Sequence, residues 1–409
     1  MNYLIAFQRG VLVFHSVHSI YEVIDFLEKF SLSTTDTYSL SLYGIQERIP
    51  FDGERGEILA SIDEAAVGRM VAHLPKLRHL SINDFRFLDS PTSPPWSAEP
   101  KFHTADPTRP GHPLPLNSLT VRRSTYGPGG SIHALLHILS LFHGSELDVR
   151  CSWDNFDPPT TDALHVPSPL RFASISFTLP STSPWTVDGR LRALRFAEAL
   201  RGLGDNLAPG WPRGKFEAQY DSPRALDAIG RILAKEGGSL HGLTLAAAAP
   251  RKFEWRGAWV DPLDEHWQRL QISSCTALVE LTLHVFLRAH DHQAGPKYAA
   301  SCAALLSALQ SRHLQVLTIF IVDLSAPELL RERFALGAVD AALKPERFPA
   351  LNKVVVFFAS VQQPDGPVSA FTPFQHAVVA QLPLLFARGI LVVQKVPIFR
   401  PLAQRLLSE

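Results

Sequence analysis

Along most of the chain one apolar residue is followed three positions later by a second and two further on by a third. Leu77-Arg-His-Leu80-Ser-Ile82 is the clearest instance, inside the run LPKLRHLSI. The pattern returns as Leu116-Asn-Ser-Leu119-Thr-Val121, Leu240-His-Gly-Leu243-Thr-Leu245, Leu278-Val-Glu-Leu281-Thr-Leu283, Leu314-Gln-Val-Leu317-Thr-Ile319 and Leu351-Asn-Lys-Val354-Val-Val356. Looser copies end at Leu42, Val149, Phe177 and Val392. The closing apolar-polar-apolar triplet has the period of a half-buried strand, so Leu80 and Ile82 are expected to point inward and Ser81 outward.

Numbered by their last apolar residue, the units fall 40, 39, 28, 28, 68, 38, 36, 37 and 36 residues apart. The spacing of 68 holds two units if Phe216–Tyr220 supplies a degenerate strand, and a strand at Val11–Phe14 adds another at the start. Such a period is the signature of stacked repeats, because one strand and one helix cannot bury their apolar faces alone. The spacing leaves room for a helix after each strand. The expected fold is therefore α/β: a single solenoid over residues 1–409 of about eleven irregular leucine-rich-type repeats, a horseshoe with parallel strands on its concave face and helices on its convex face.

Helix signals fall between the strands. Ser19-Ile-Tyr-Glu22, Ser61-Ile-Asp-Glu64 and Ser325-Ala-Pro-Glu328 read as capping boxes. The first precedes an apolar stripe of Ile20, Val23, Ile24, Leu27 and Phe30; the second precedes Ile62, Ala66, Met70 and Leu74. Further helices are expected over Ile132–Phe142, Arg190–Leu203 and Ala300–Leu309, and one from Ser222-Pro223 to Gly237-Gly238, with serine at the cap, proline in the first turn and glycine at the end. Gly53 and Gly56 mark a loop. Eight prolines between 91 and 115 mark a loop insertion, since proline removes backbone donors and holds its predecessor extended. Gly127-Pro-Gly-Gly130 reads as a turn, because no Gly-x-x-x-x-Gly-Lys or Gly-x-Gly-x-x-Gly pattern completes it. Trp255, Trp259 and Trp267 cluster in one long connection and read first as pins for that loop.

Charge and chemistry narrow the function. The 39 basic and 39 acidic residues cancel, which argues against a nucleic-acid or membrane-surface partner. Three cysteines without zinc spacing and the lack of any Asn-x-Ser/Thr site point to an intracellular compartment. No run reaches the roughly 18–20 apolar residues of a membrane span. His133 and His137 share a helix face, but HALLH lacks the glutamate of a zinc-protease helix; His290-Asp-His292 reads as a polar loop. With no Gly-x-Ser-x-Gly elbow either, no enzyme, metal or cofactor is expected.

The outward strand positions carry the functional lead. The central ones are Ser41, Ser81, Thr120, Asp148, Ser176, Thr244, Thr282, Thr318 and Val355, seven of nine being serine or threonine. A partner protein is expected on the concave face, at Ser81, Thr120, Arg122, Glu146, Asp148 and Arg150, the last four forming a charged patch on two neighbouring strands. Flanking outward positions add His79, Asn83, Ser118, Thr178, Glu280, His284, Phe320, Lys353 and Phe357.

Units written LPKLRHLSI and CTALVELTLHV, joined by long irregular loops, resemble the divergent leucine-rich-repeat region of fungal F-box proteins over about residues 20–395. In that family an N-terminal three-helix F-box docks on the Skp adaptor of a cullin–RING ubiquitin ligase and the repeats recruit the substrate. The resemblance implies a non-enzymatic interaction scaffold engaged in substrate recognition. It covers the repeats only, and no F-box-like helical module is legible before Ser19.

Overall fold

The structure, a computed structural model, describes residues 4–30, 36–50, 55–89, 113–123, 130–153, 156, 166, 168–179, 189–209, 214–247, 262–286, 294–322, 336–359 and 371–395. The chain forms two compact units, Met1–Ala208 and Pro209–Glu409. Each is a mixed α/β layer in which helices alternate along the chain with parallel strands.

In the first unit β1 (Leu4–Gln8) and β2 (Val11–Val17) form a hairpin. Its two turn residues, Arg9 and Gly10, both have positive φ, 49° and 78°, the twist that suits a two-residue hairpin. The chain continues through α1 (Ile20–Lys29), β3 (Ser39–Gly44), the hairpin β4 (Gln46–Pro50) and β5 (Arg55–Leu59), β6 (Ser61–Ile62), α2 (Glu64–Ala72), β7 (His79–Asn83), β8 (Arg86–Phe87), β9 (Leu114–Arg123), α3 (Ile132–Ser140), β10 (Phe142–Cys151), β11 (Arg171–Thr178) and α4 (Gly189–Asn206). The main sheet runs β1-β2-β3-β7-β9-β10-β11. After the opening hairpin every pairing in it is parallel.

The second unit holds β12 (Lys215–Tyr220), α5 (Pro223–Glu236), β13 (Gly242–Ala247), α6 (Pro262–His266), β14 (Glu280–Phe286), α7 (Ala294–Ala308), β15 (Val316–Val322), α8 (Gly337–Ala342), β16 (Lys353–Ala359), α9 (Phe371–Gln381), α10 (Pro383–Ala387) and β17 (Leu391–Lys395). Its strands pair in chain order and all run parallel.

The repeated triplets are the strands, and they register on one another. Phe14, Leu42, Ile82, Val121, Val149 and Phe177 are successive cross-strand partners in the first unit, and each is fully buried. Ala218, Leu245, Leu283, Ile319 and Val356 do the same in the second. Burying each large apolar side chain contributes about 1.5–3 kcal/mol relative to leaving it in water, so these columns are the cores of their units. Helices close over them: α1 offers Ile20, Val23, Ile24 and Leu27, and α5 offers Leu226, Ile229, Ile232 and Leu233.

Several local expectations are corrected. Ser19 caps α1, but its hydroxyl accepts from Tyr21 N, and Glu22 N donates to the Ser19 carbonyl oxygen rather than to that hydroxyl. Asp63, not Ser61, caps α2, accepting from Ala66 N at 2.8 Å; Ser61 and Ile62 form a short strand paired with β8 instead. Asp63 wins because its carboxylate reaches the N3 amide while Ile62 is drawn into the core. Gly56 lies in β5, not in a loop, and Phe142 opens β10 rather than ending α3. Of the proline-rich stretch, 91–112 lies outside the described residues, and Leu114-Pro115 already belongs to β9. Ser325–Glu328, Gly127–Gly129, Trp255 and Trp259 also lie outside them. Trp267 is described, partly exposed in a 3-10 turn.

Gly237 ends α5 with φ −58°, in the right-handed region. A left-handed cap is therefore not what requires glycine there. A Cβ at 237 would strike the Leu233 carbonyl oxygen and lie 3.0 Å from the Ser274 backbone, whereas one at Gly238 would meet nothing within 4 Å. Gly237→Ala is expected to lower unfolding stability in urea by about 1–3 kcal/mol. Gly238→Ala is expected to stay within about 0.5 kcal/mol.

Candidate recognition surface

Strand geometry alone sorts the polar residues. With alternate side chains committed to the core, those between them stand on the opposite face. Ser41, Ser81, Thr120, Asp148 and Ser176 are successive cross-strand partners in the first unit, and all are partly exposed. Thr244, Thr282 and Thr318 form the corresponding row in the second, again partly exposed. Val355 breaks that row and is buried.

Toward the strand C-termini of the first unit the next row reads Tyr43, Asn83, Arg122, Arg150 and Thr178. Tyr43 stacks on His15 with ring centroids 4.8 Å apart and remains exposed. Asn83 and Thr178 are buried, contrary to the simple alternation. Asn83 turns its amide back to the Leu42 carbonyl oxygen and the Ser81 hydroxyl, both at 3.0 Å, so it ties strands together. Toward the N-termini His79 Nδ1 lies 2.8 Å from Ser118 Oγ.

Of the expected charged residues, three meet. Arg122 and Arg150 are in register on β9 and β10, with Asp148 two residues before Arg150. Arg122 Nη2 is 3.4 Å from Asp148 Oδ2, and Arg150 Nε is 2.9 Å from Asp148 Oδ1. The arginine side chains are 44% and 43% exposed and the aspartate 21%, so the pairs are solvated and each worth about 0–1 kcal/mol. Glu146 is exposed one row further on, in register with Ser118 and Ser174. Ser81 and Thr120 continue the Asp148 row toward β7.

The second unit differs. There His284, Phe320 and Phe357 are in register and stack, both centroid separations being 4.6 Å. Burial lowers the His284 pKa to about 4 and keeps the ring neutral near pH 7. At the N-terminal ends of its strands Lys215 Nζ and Glu280 lie 2.8 Å apart, while Lys353 is exposed.

One inward charge stands outside the expected set. Arg123 is fully buried, its guanidinium 5.2 Å from the Phe156 ring centroid. Phe156 in turn packs on Trp153, which touches Phe177 and Phe196. The signal of Arg123 was its phase: Leu119, Val121 and Arg123 share the inward parity. Cys151, its partner across the strands, is buried, which pushes its thiol up to about 12, and Cys275 is pushed up to about 12 by the same cause. Neither is a nucleophile in this setting. His133 and His137 lie with rings 4.0 Å apart, and each faces a carboxylate, Asp89 at 3.2 Å and Glu64 at 2.9 Å. Among the described residues no group of three or more histidine, cysteine or acidic side chains is placed to hold a metal ion. His290 and His292 lie outside the described residues. Among the described residues no helix is long and apolar enough to cross a membrane.

Fold and surface together define a mixed α/β protein built on parallel sheet, with one sheet face in each unit turned away from the core. Compared with models of known protein families and with curated proteins, the chain matches none.

Two outcomes follow from these geometries. Below pH 6.5 the unfolded chain protonates His284 while the folded chain does not, so stability falls as the pH drops from about 6.5 to about 4 and levels off below. The contribution is about 1–3 kcal/mol, and urea unfolding of His284→Phe is expected to lack that slope. Arg122→Gln and Arg150→Gln are each expected to shift urea stability by less than about 1 kcal/mol.

Proposed function

We propose that this chain is a leucine-rich-repeat-like solenoid, with the partly exposed sheet face on its concave side, and that it acts as a non-enzymatic scaffold for protein recognition in an intracellular compartment. The most specific form of this reading is substrate recognition in a cullin–RING ubiquitin ligase of the F-box type. The observation that carries it is the row Ser41, Ser81, Thr120, Asp148 and Ser176. Five neighbouring strands hold short polar side chains in register on a face that the core leaves partly exposed. Short hydroxyl side chains lose little rotamer entropy on contact, and a row of them lets a partner approach the sheet closely. The resemblance of LPKLRHLSI and CTALVELTLHV to the repeats of fungal F-box proteins adds the ligase context.

Photo-cross-linking tests it. A benzoylphenylalanine replaces Thr120 on the sheet face, or Asp25, exposed on α1, and the protein is irradiated in fungal cells. A discrete partner is expected to cross-link at 120 and not at 25. Skp adaptor and cullin co-purifying with the full-length product would support the ligase form; a partner without them leaves general recognition. Cross-links at 25 alone, or at neither position, would overturn the proposal.

A further inference from the structure

The two exposed arginines hold more donors than their neighbours use. A guanidinium carries five N–H groups. Among the described residues, Arg122 and Arg150 each spend one of theirs on the same Asp148 carboxylate. The Arg122 contact, at 3.4 Å, is long for a charge-assisted bond. Adjacent strands place the two residues about 4.8 Å apart at their backbones, a span that one carboxylate can bridge.

Charge decides the ligand. Two arginines and one aspartate leave the trio at net +1, which a single carboxylate balances. A phosphoryl group near −2 would over-compensate it and would meet Asp148 at closer range. Beside the arginines, across the buried Asn83, the exposed Tyr43 ring offers an apolar surface.

We propose that Arg122 and Arg150 form the receptor for a glutamate or aspartate carboxylate in an acidic, unphosphorylated segment of a protein partner. This rests on the sheet face being the recognition surface and gives that surface its partner chemistry. Asp148 is a positioning residue: it aligns both guanidiniums and sets the charge that excludes dianions.

The test uses the full chain and fluorescein-labelled 12-residue peptides of alternating Glu and Ser, with Gln and phosphoserine counterparts in place of Glu, read by fluorescence anisotropy at low salt. The Glu peptide is expected to bind, weakening as salt rises, and the Gln peptide to bind at least about tenfold more weakly. Arg122→Gln and Arg150→Gln should each weaken the Glu peptide about tenfold while urea unfolding shifts no more than the loss of one solvated surface pair allows. Asp148→Asn should raise the affinity of the phosphoserine peptide relative to the Glu peptide, a change that a purely structural role would not produce. Equal binding of Glu and Gln peptides, binding indifferent to both arginine variants, or preference of the unaltered chain for phosphoserine would each overturn the inference. A partner that cross-links at position 120 while the Glu peptide fails to bind would sink the acidic segment alone. Arginine-dependent peptide binding without any cross-link at 120 would sink the scaffold reading and leave the carboxylate site standing.

Discussion

Each unit depends on the in-register stacking of one apolar column across its sheet. Phe14 through Phe177 in the first unit, and Ala218 through Val356 in the second, place a buried side chain on successive parallel strands at the same height, and Val393 on β17 ends the second column partly exposed. No strand could bury its residue without the strand before and after it. The same geometry commits every intervening side chain to the opposite face, since a slip of one residue would exchange the two. The polar row is therefore placed by the core that it never enters.

Polar contacts then hold what the column cannot reach. Parallel strands need crossovers, and crossovers leave helix ends and turns with unpaired backbone groups. Asp340, buried on α8, accepts from the amides of Leu384 and Leu385 at 2.9 and 3.0 Å and so anchors α10. Ser311, also buried, donates to the Leu278 carbonyl oxygen at 2.7 Å. Such bonds are worth about 1 kcal/mol made and cost more when one partner is lost, so they fix connections rather than drive folding. The β1–β2 hairpin does related work, covering the β2 edge with an antiparallel strand.

The two outward faces share a geometry and differ in chemistry. In the first unit the row nearest the strand C-termini carries arginines beside an aspartate, solvated and available to a charged partner. In the second the same row carries His284, Phe320 and Phe357 stacked, where a histidine kept neutral by burial behaves as one more ring.

The strands were legible in the sequence because a half-buried strand has a period that nothing else imitates over six residues: β2, β3, β7, β9–β11 and β13–β16 all lie on the expected triplets, and even the weak Phe216–Tyr220 is a strand, whereas in β17 Val393 rather than the expected Val392 pairs with Val356 and Ile390 precedes the strand. From the same alternation came the inward and outward sets, with Ser81, Thr120 and Asp148 on the outward one. The sequence could not show which outward positions stay exposed. Asn83, Thr178 and Val355 have the right parity and are buried. Nor could it show that Arg122 and Arg150 share Asp148, since their separation depends on the register of β9 against β10. The β4–β5 hairpin has no apolar alternation to announce it, and Asp63 displaced Ser61 as a cap only because Ile62 was needed in the core. Periodicity along one strand is a local property and survives in the sequence; the register between strands, and what covers each position, exist only once the chain has packed.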